Sequence, residues 1–180
     1  MSNYRIHKPP KNTNPSDFVV KFFDEYDVPK NKPILDLACG YGRNALYAES
    51  LGYKVIASDI DDSILTNTDV LKKKNIHFKR LNANEEFPIE PQSISAILVV
   101  HYYSENLFER IKKLVCEGGY ILYESISAHG ENWKELDKKG RVEDQLKNEF
   151  KFVYINKREI AKYKEYETIK FIARNIEKYV

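Results

Sequence analysis

The stretch ILDLACGYGRNA, residues 34–45, reads as a buried strand that passes through a tight turn into a helix. Ile34, Leu35 and Leu37 are apolar, Gly40 and Gly42 let the backbone turn sharply, and Asn44-Ala45-Leu46 resumes as helix. Gly40, Gly42 and Ala45 fit the G-x-G-x-x-G/A spacing of a dinucleotide-binding turn. Asp36, four residues before Gly40, is an odd neighbour for a pyrophosphate, because its charge would add repulsion beside two negative charges.

Strand and helix alternate outward from this stretch. Residues 1–15, with Pro9, Pro10 and Pro15 among polar residues, read as an irregular leader or lid. Ser16 or Asp17 caps a predicted helix to about Tyr26, with Phe18, Val19, Phe22 and Phe23 on one face. Beyond the glycine turn the pattern predicts a helix over 42–51, a strand over 54–58 leading to Asp59, and a helix over 62–74. Strands over 76–81 and 94–100, a helix over 105–116 that carries Cys116, and a strand over 120–125 follow. This order predicts an α/β fold, a doubly wound, mostly parallel sheet with helices on both faces. Residues 129–148 are polar and are expected to hold a helix. The β-rich runs 150–155 and 167–173 are too closely connected for a parallel crossover, so an antiparallel C-terminal pair is expected. The total is seven strands, in one domain over 16–180.

Bulk properties narrow the function. The chain has 180 residues, 42% apolar and 31% charged, with a formal charge of +2, as for an ordinary globular protein. That charge is too small to argue for a nucleic-acid partner, and the basic opening (Arg5, His7, Lys8, Lys11) reads as a solvated tail. No apolar run suits a membrane span, and the polar N-terminus does not read as a signal peptide. Cys39 and Cys116 form no C-x-x-C pair, so no metal site is expected; reduced thiols and a cytoplasmic location are.

Asp59 closes its strand ~20 residues beyond the glycine turn, where a carboxylate accepts hydrogen bonds from ribose hydroxyls. Its alternative role, capping the next helix, can be filled by Asp61 or Asp62. Asp36 discriminates between cofactors: awkward beside a pyrophosphate, it suits S-adenosylmethionine, which carries an ammonium and a sulfonium. A simple strand-end turn carboxylate is the alternative reading. The expected antiparallel pair also favours the methyl donor.

At this point the chain resembles a known family. Asp36-Leu37-Ala38-Cys39-Gly40-Tyr41-Gly42, with Asp59 following, is similar to motif I and the acidic ribose position of class I S-adenosylmethionine-dependent methyltransferases. The likeness continues through Asn82-Ala83-Asn84, the strand ending at Val100, and Glu117-Gly118-Gly119-Tyr120-Ile121-Leu122. Gly42-Arg43-Asn44-Ala45-Leu46-Tyr47 and Tyr123-Glu124-Ser125 resemble small bacterial enzymes of the tellurite-resistance and thiopurine type. Ala38 replaces the glycine most common at that point, which is tolerable if its φ is negative, and Asn82 stands where many relatives have Asp.

The resemblance implies a Rossmann-like methyltransferase fold and a set of roles. Ala38, Cys39, Gly40 and Gly42, with Asn44 nearby, would seat the methionine part, and Asp36 would act on the amino end directly or through water. Asp59 and Ile60 would hold the ribose, Asn82 and Ala83 the adenine edge, and Val100 would lie near the sulfonium. His101, Tyr102 and Glu124 fall at or just past carboxyl strand ends and are the candidates for a general base. Each also has a plainer role, as a wall residue or hydrogen-bond partner. Trp133, the only tryptophan, either anchors a helix on the sheet or helps to close over the acceptor. Neither cysteine has the Pro-Cys context of cytosine C5 methylation, and Val99-Val100-His101-Tyr102 occupies the place of the Asn/Asp-Pro-Pro-Tyr motif of amino-directed nucleic-acid enzymes. The reading is in-line methyl transfer to a small-molecule acceptor, with S-adenosylhomocysteine as product. RNA or protein methylation, or a non-catalytic subunit that binds the cofactor, are the alternatives. Acceptor identity and oligomeric state stay open.

Overall fold

β1 (Ile34–Leu37) is buried at all four residues and lies third in a seven-stranded sheet, in a computed structural model that describes residues 13–62, 67–129 and 131–176. It pairs in parallel with β2 (Val55–Asp59) on one side and with β4 (Ile94–Val100) on the other. β3 (Ile76–Arg80) continues the parallel order beyond β2, and β5 (Val115–Glu124) beyond β4. β7 (Glu167–Asn175) joins β5 antiparallel, and β6 (Phe150–Glu159) follows as an antiparallel edge. The order is β3-β2-β1-β4-β5-β7-β6. The fold is therefore the α/β, mostly parallel sheet expected, with its antiparallel C-terminal pair. Residues 1–12 of the expected leader lie outside the described residues.

Strand parity divides the apolar residues into two cores. Leu35, Leu37, Ile97, Val99, Ile121 and Phe171 face α4 (Leu107–Ile111) and α5 (Arg141–Leu146). Ile34, Val55, Ala57, Leu98, Leu122 and Ile172 face α1 (Asp17–Glu25), α2 (Arg43–Ser50) and the one-turn α3 (Thr68–Leu71). A helix of nine residues is marginal alone, so α1 depends on tertiary burial. Phe18, Val19 and Phe22 are buried, each contributing about 1.5–3 kcal/mol. Ser16 caps this helix, its hydroxyl accepting from the Phe18 N–H at 3.2 Å.

Four departures from the sequence reading stand out. The helix expected over 105–116 ends at Ile111, tightens into a 3₁₀ turn over Lys112–Leu114, and yields to β5, so Cys116 lies on a strand. Gly118-Gly119 marks a shift of register within β5 rather than the start of a strand: Ile94 pairs with Val115, but Ala96 with Tyr120. Gly118 has a φ of +72°, and a Cβ on Gly119 would stand 2.6 Å from the Ser95 carbonyl oxygen, so the two glycines let an irregular strand stay paired. The helix expected over 62–74 shortens to α3 among the described residues, residues 63–66 lying outside them. β6 also runs past the expected end at 155 to Glu159, so that with β7 it extends three residues beyond Lys170, the partner of Glu124 at the carboxyl end of β5.

Candidate active site

The order of the sheet reverses between β1 and β4, and there the carboxyl ends of the strands part into a crevice. A cleft of about 330 Å³ opens at this point, lined by Ala38, Gly40, Asp59, Ile60, Asn82 and His101 among others. Gly40 holds a φ of +53° with nothing within 4 Å of where a Cβ would stand, so the turn leaves room for close approach to its backbone. Ala38 has a φ of +55°, so the condition of a negative angle is not met and a residue with a Cβ is held in the left-handed region.

Asp59 faces the cleft with both oxygens in use. Oδ2 accepts from the Gly40 N–H at 2.9 Å and Oδ1 from the Asp61 N–H at 3.0 Å. The carboxylate thus ties the end of β2 to the glycine turn, and the remaining lone pairs can accept from a diol. On the opposite wall the Asn82 side chain accepts from the Asn84 N–H at 3.1 Å and donates to Glu85 Oε1 at 2.7 Å. Arg110 fixes this wall. Its Nε and Nη2 donate to the Ala83 carbonyl at 3.1 and 2.8 Å, and Nη2 also reaches Ser104 Oγ at 2.6 Å. Sequence reasoning missed Arg110, Leu37, Leu81 and Asn84, because an arginine within an expected helix carries no local sign that its fork closes on a distant carbonyl.

Asp36, Cys39, Gly42, Asn44 and Val100 stand behind the cleft wall rather than in its lining. Asp36 shares its strand face with Ile34 and lies beneath α2, 1% exposed, accepting from the Ala45 N–H. Burial raises its carboxyl to about 7, and Oδ2 has no hydrogen-bond partner among the described residues. Burial, with Asp36 and Asp59 nearby, pushes the Cys39 thiol up, so it is neutral and inert. Asn44 Oδ1 accepts from the Ser16 N–H at 2.9 Å and anchors the start of α1 on α2.

His101 follows β4 with a φ of +57°, and its N–H donates to the Glu124 carbonyl at 2.7 Å. It lines the cleft and also a second cavity of about 610 Å³. Glu124 lies in that second cavity, not in the cleft. Burial acts to raise the Glu124 carboxyl, but the partners around it outweigh burial and bring it down to about 2. His101 Nε2 is 3.6 Å away, an ion-pair contact too long for a hydrogen bond; Lys170 Nζ donates at 2.6 Å and Ser16 Oγ at 2.7 Å. Tyr102 lines the cleft half-buried, and desolvation raises its phenol. Trp133 lines neither cavity; it stacks on Tyr163 with ring centroids 4.2 Å apart, at the turn between β6 and β7. Among the described residues no His, Cys, Asp and Glu cluster could hold a metal ion, and no helix is long and apolar enough to cross a membrane.

Comparison with known proteins bears on this geometry. Residues 34–119, from β1 into β5, match the family model described as a methyltransferase domain. Curated protein sequences give no significant match. Among solved structures the chain is similar to a SAM-dependent methyltransferase from Methanosarcina mazei, with 15% identity, 92% of this chain and 100% of that one covered, and a TM-score of 0.63. It is similar to geranyl diphosphate C-methyltransferase from Streptomyces coelicolor, bound to Mg²⁺, geranyl diphosphate and S-adenosyl-L-homocysteine (10% identity, 87% and 79% covered, TM-score 0.69). A third is the 1,6-didemethyltoxoflavin-N1-methyltransferase of Burkholderia thailandensis, with its acceptor and S-adenosylhomocysteine bound (16% identity, 81% and 72% covered, TM-score 0.58). The match to the methyltransferase-domain model spans just under half of the chain, and the solved structures share its Rossmann-like fold.

Proposed function

We propose that the protein methylates a small-molecule acceptor by in-line transfer. The observation that carries this reading is the meeting of two cavities at one residue, His101. The cleft beside Gly40 and Asp59 suits the donor, and the larger cavity suits the acceptor, its volume falling in the ordinary range for small-molecule sites. The fit to the donor has two supports: the open approach at Gly40, and the buried Asp36 Oδ2 left without a partner, whose ionised form a cation favours.

S-adenosylmethionine would supply an electrophilic methyl group, whose carbon the acceptor lone pair attacks in line as the bond to the sulfonium breaks and neutral S-adenosylhomocysteine leaves. The chain's own residues orient and exclude water. Asp59 takes the ribose hydroxyls, Asn82 and Ala83 border the adenine, and the Ala38–Gly42 backbone backs the methionine part. Gly42 and Cys39 act here only by shaping the turn, and Asn44 and Val100 only by supporting it. Proximity and a dry pocket provide most of the acceleration. Where the acceptor arrives protonated, His101 takes the proton. A carboxylate brought down to about 2, as in Glu124, is too weak a base at neutral pH, and a phenol raised by burial, as in Tyr102, stays protonated. Glu124 and Tyr102 then position and enclose.

Within the class we place the protein beside the small bacterial enzymes of tellurite-resistance and thiopurine type, on residues 42–47 and 123–125, in the cytoplasm with Cys39 and Cys116 reduced. The small formal charge supports an acceptor other than nucleic acid. Calorimetric titration with S-adenosylhomocysteine, and with NAD in parallel, tests the reading. The expected result is a dissociation constant of ~10 µM or tighter for the first and no binding of the second. Asp59→Ala weakens that binding by ~1.5–3 kcal/mol, the worth of hydrogen bonds to a charged group. No binding of S-adenosylhomocysteine by the folded protein overturns the proposal.

A further inference from the structure

The far wall of the larger cavity has a chemistry that the methyl transfer itself does not use. β6 and β7 run past the carboxyl end of β5, and one face of this extension carries two rows of side chains across the strands. The lower row is Glu124, Lys170 and Asn156; the upper is Thr168 and Arg158. Both carboxylates in the cavity are already matched. Glu124 is held by Lys170 at 2.6 Å, and Glu159 by Lys139 at 2.5 Å. Arg158 lines the cavity, and no described carboxylate lies within ion-pair distance of it.

We infer that the acceptor carries a carboxylate or phosphate group, bound by Arg158 with Asn156 and Thr168 beside it, at the end of the cavity remote from His101. The inference rests on the reading that this cavity receives the acceptor. The planar guanidinium matches either oxyanion with two parallel N–H donors, and an amide and a hydroxyl in the adjoining positions complete its hydrogen bonding. The charge of the wall is not cancelled from within, because the neighbouring carboxylates are spent on lysines. Position adds a constraint. Arg158 and His101 are separated by three strand spacings, which puts their backbones roughly 15 Å apart. The anion is therefore several bonds from the atom that receives the methyl group, and the oxyanion is a handle, not the nucleophile.

The test uses the full chain saturated with S-adenosylhomocysteine, titrated with benzoate, phenyl phosphate, benzamide and inorganic phosphate, and followed by calorimetry and backbone amide NMR. Benzoate or phenyl phosphate is expected to bind about tenfold or more tightly than the neutral benzamide. The shifted amides are expected over residues 154–160 and 168–170. Arg158→Gln, an exposed substitution on an edge strand, is expected to remove the preference for the anion while leaving S-adenosylhomocysteine affinity unchanged. Equal binding of benzamide, an anion preference that survives R158Q, absence of anion binding, or shifts elsewhere would each overturn the inference. Inorganic phosphate binding as tightly as phenyl phosphate also overturns it, since the site would then serve a free ion. S-adenosylhomocysteine affinity, read on the same samples, separates these outcomes from failure of the methyltransferase reading.

Discussion

Replacing Asp36 with Asn tests the most unusual electrostatic feature of the fold. Asp36 is 1% exposed beneath α2, and burial raises its carboxyl from 3.8 to about 7. A carboxyl raised in the native state holds a proton that the unfolded chain has released. Stability contributed by that proton is present at low pH and is lost as pH climbs from about 4 through 7. Integrated between pH 5 and pH 8, the loss is about 2–3 kcal/mol, or roughly 5–10 °C in melting temperature for a domain of this size. Asn mimics the protonated acid and does not titrate, so Asp36→Asn should remove this part of the decline. The assay is urea unfolding of both proteins across pH 5–8, read as the difference between their profiles. Asp137, raised by burial to about 6, slopes the same way in both proteins and cancels in that difference. Parallel profiles would refute the reasoning, because they would mean that Asp36 is already ionised in the native state or reached by water.

Other positions carry sharper local expectations. Ala38→Gly relieves a left-handed residue, worth about 1–2 kcal/mol, against an unfolded-chain entropy cost of about 0.4–1 kcal/mol. A net gain of up to about 1.5 kcal/mol should appear in chemical denaturation, and a loss would show that the methyl group packs usefully. Glu124→Gln strands the Lys170 ammonium and the Ser16 hydroxyl against a neutral amide. Since the Glu124 carboxyl is brought down to about 2, its contribution is present above the usual carboxylate range and fades as pH falls through 4 toward 2. The variant should lose about 2–3 kcal/mol at pH 7 and progressively less below pH 4; a pH-independent loss would assign the effect to packing.

The residues that decide the fold class lie close together and follow local rules. Four apolar-flanked positions at β1, a glycine turn, and alternating strand and helix signals up to Val100 specify a parallel sheet with helices on both faces, because periodicity and turn chemistry act over a few residues. Asp59 is legible for the same reason: it ends a strand at a set distance from the turn. The antiparallel pair was legible too, from the shortness of its connection. The end of α4 was not, since a shift of register at Gly118-Gly119 depends on the Ser95 carbonyl packed against it, from a neighbouring strand. Nor could sequence tell that Asp36 turns beneath α2 while Gly40 faces the cleft. Strand parity alternates by one residue, but only the neighbouring strands and helices settle which face becomes the core.

The chemistry of the larger cavity belongs wholly to tertiary structure. Ser16, Glu124 and Lys170 meet across 154 residues of chain, and Arg158 stands opposite His101 only because β6 and β7 extend past the rest of the sheet. The chain by itself determined the architecture and the glycine turn beside the cleft, through signals between neighbours in sequence. Which charges cancel, which carboxyl oxygen is buried without a hydrogen bond, and which arginine lines a cavity with no described carboxylate in ion-pair reach were decided by packing. Charge and desolvation act through space, between groups that the sequence keeps far apart.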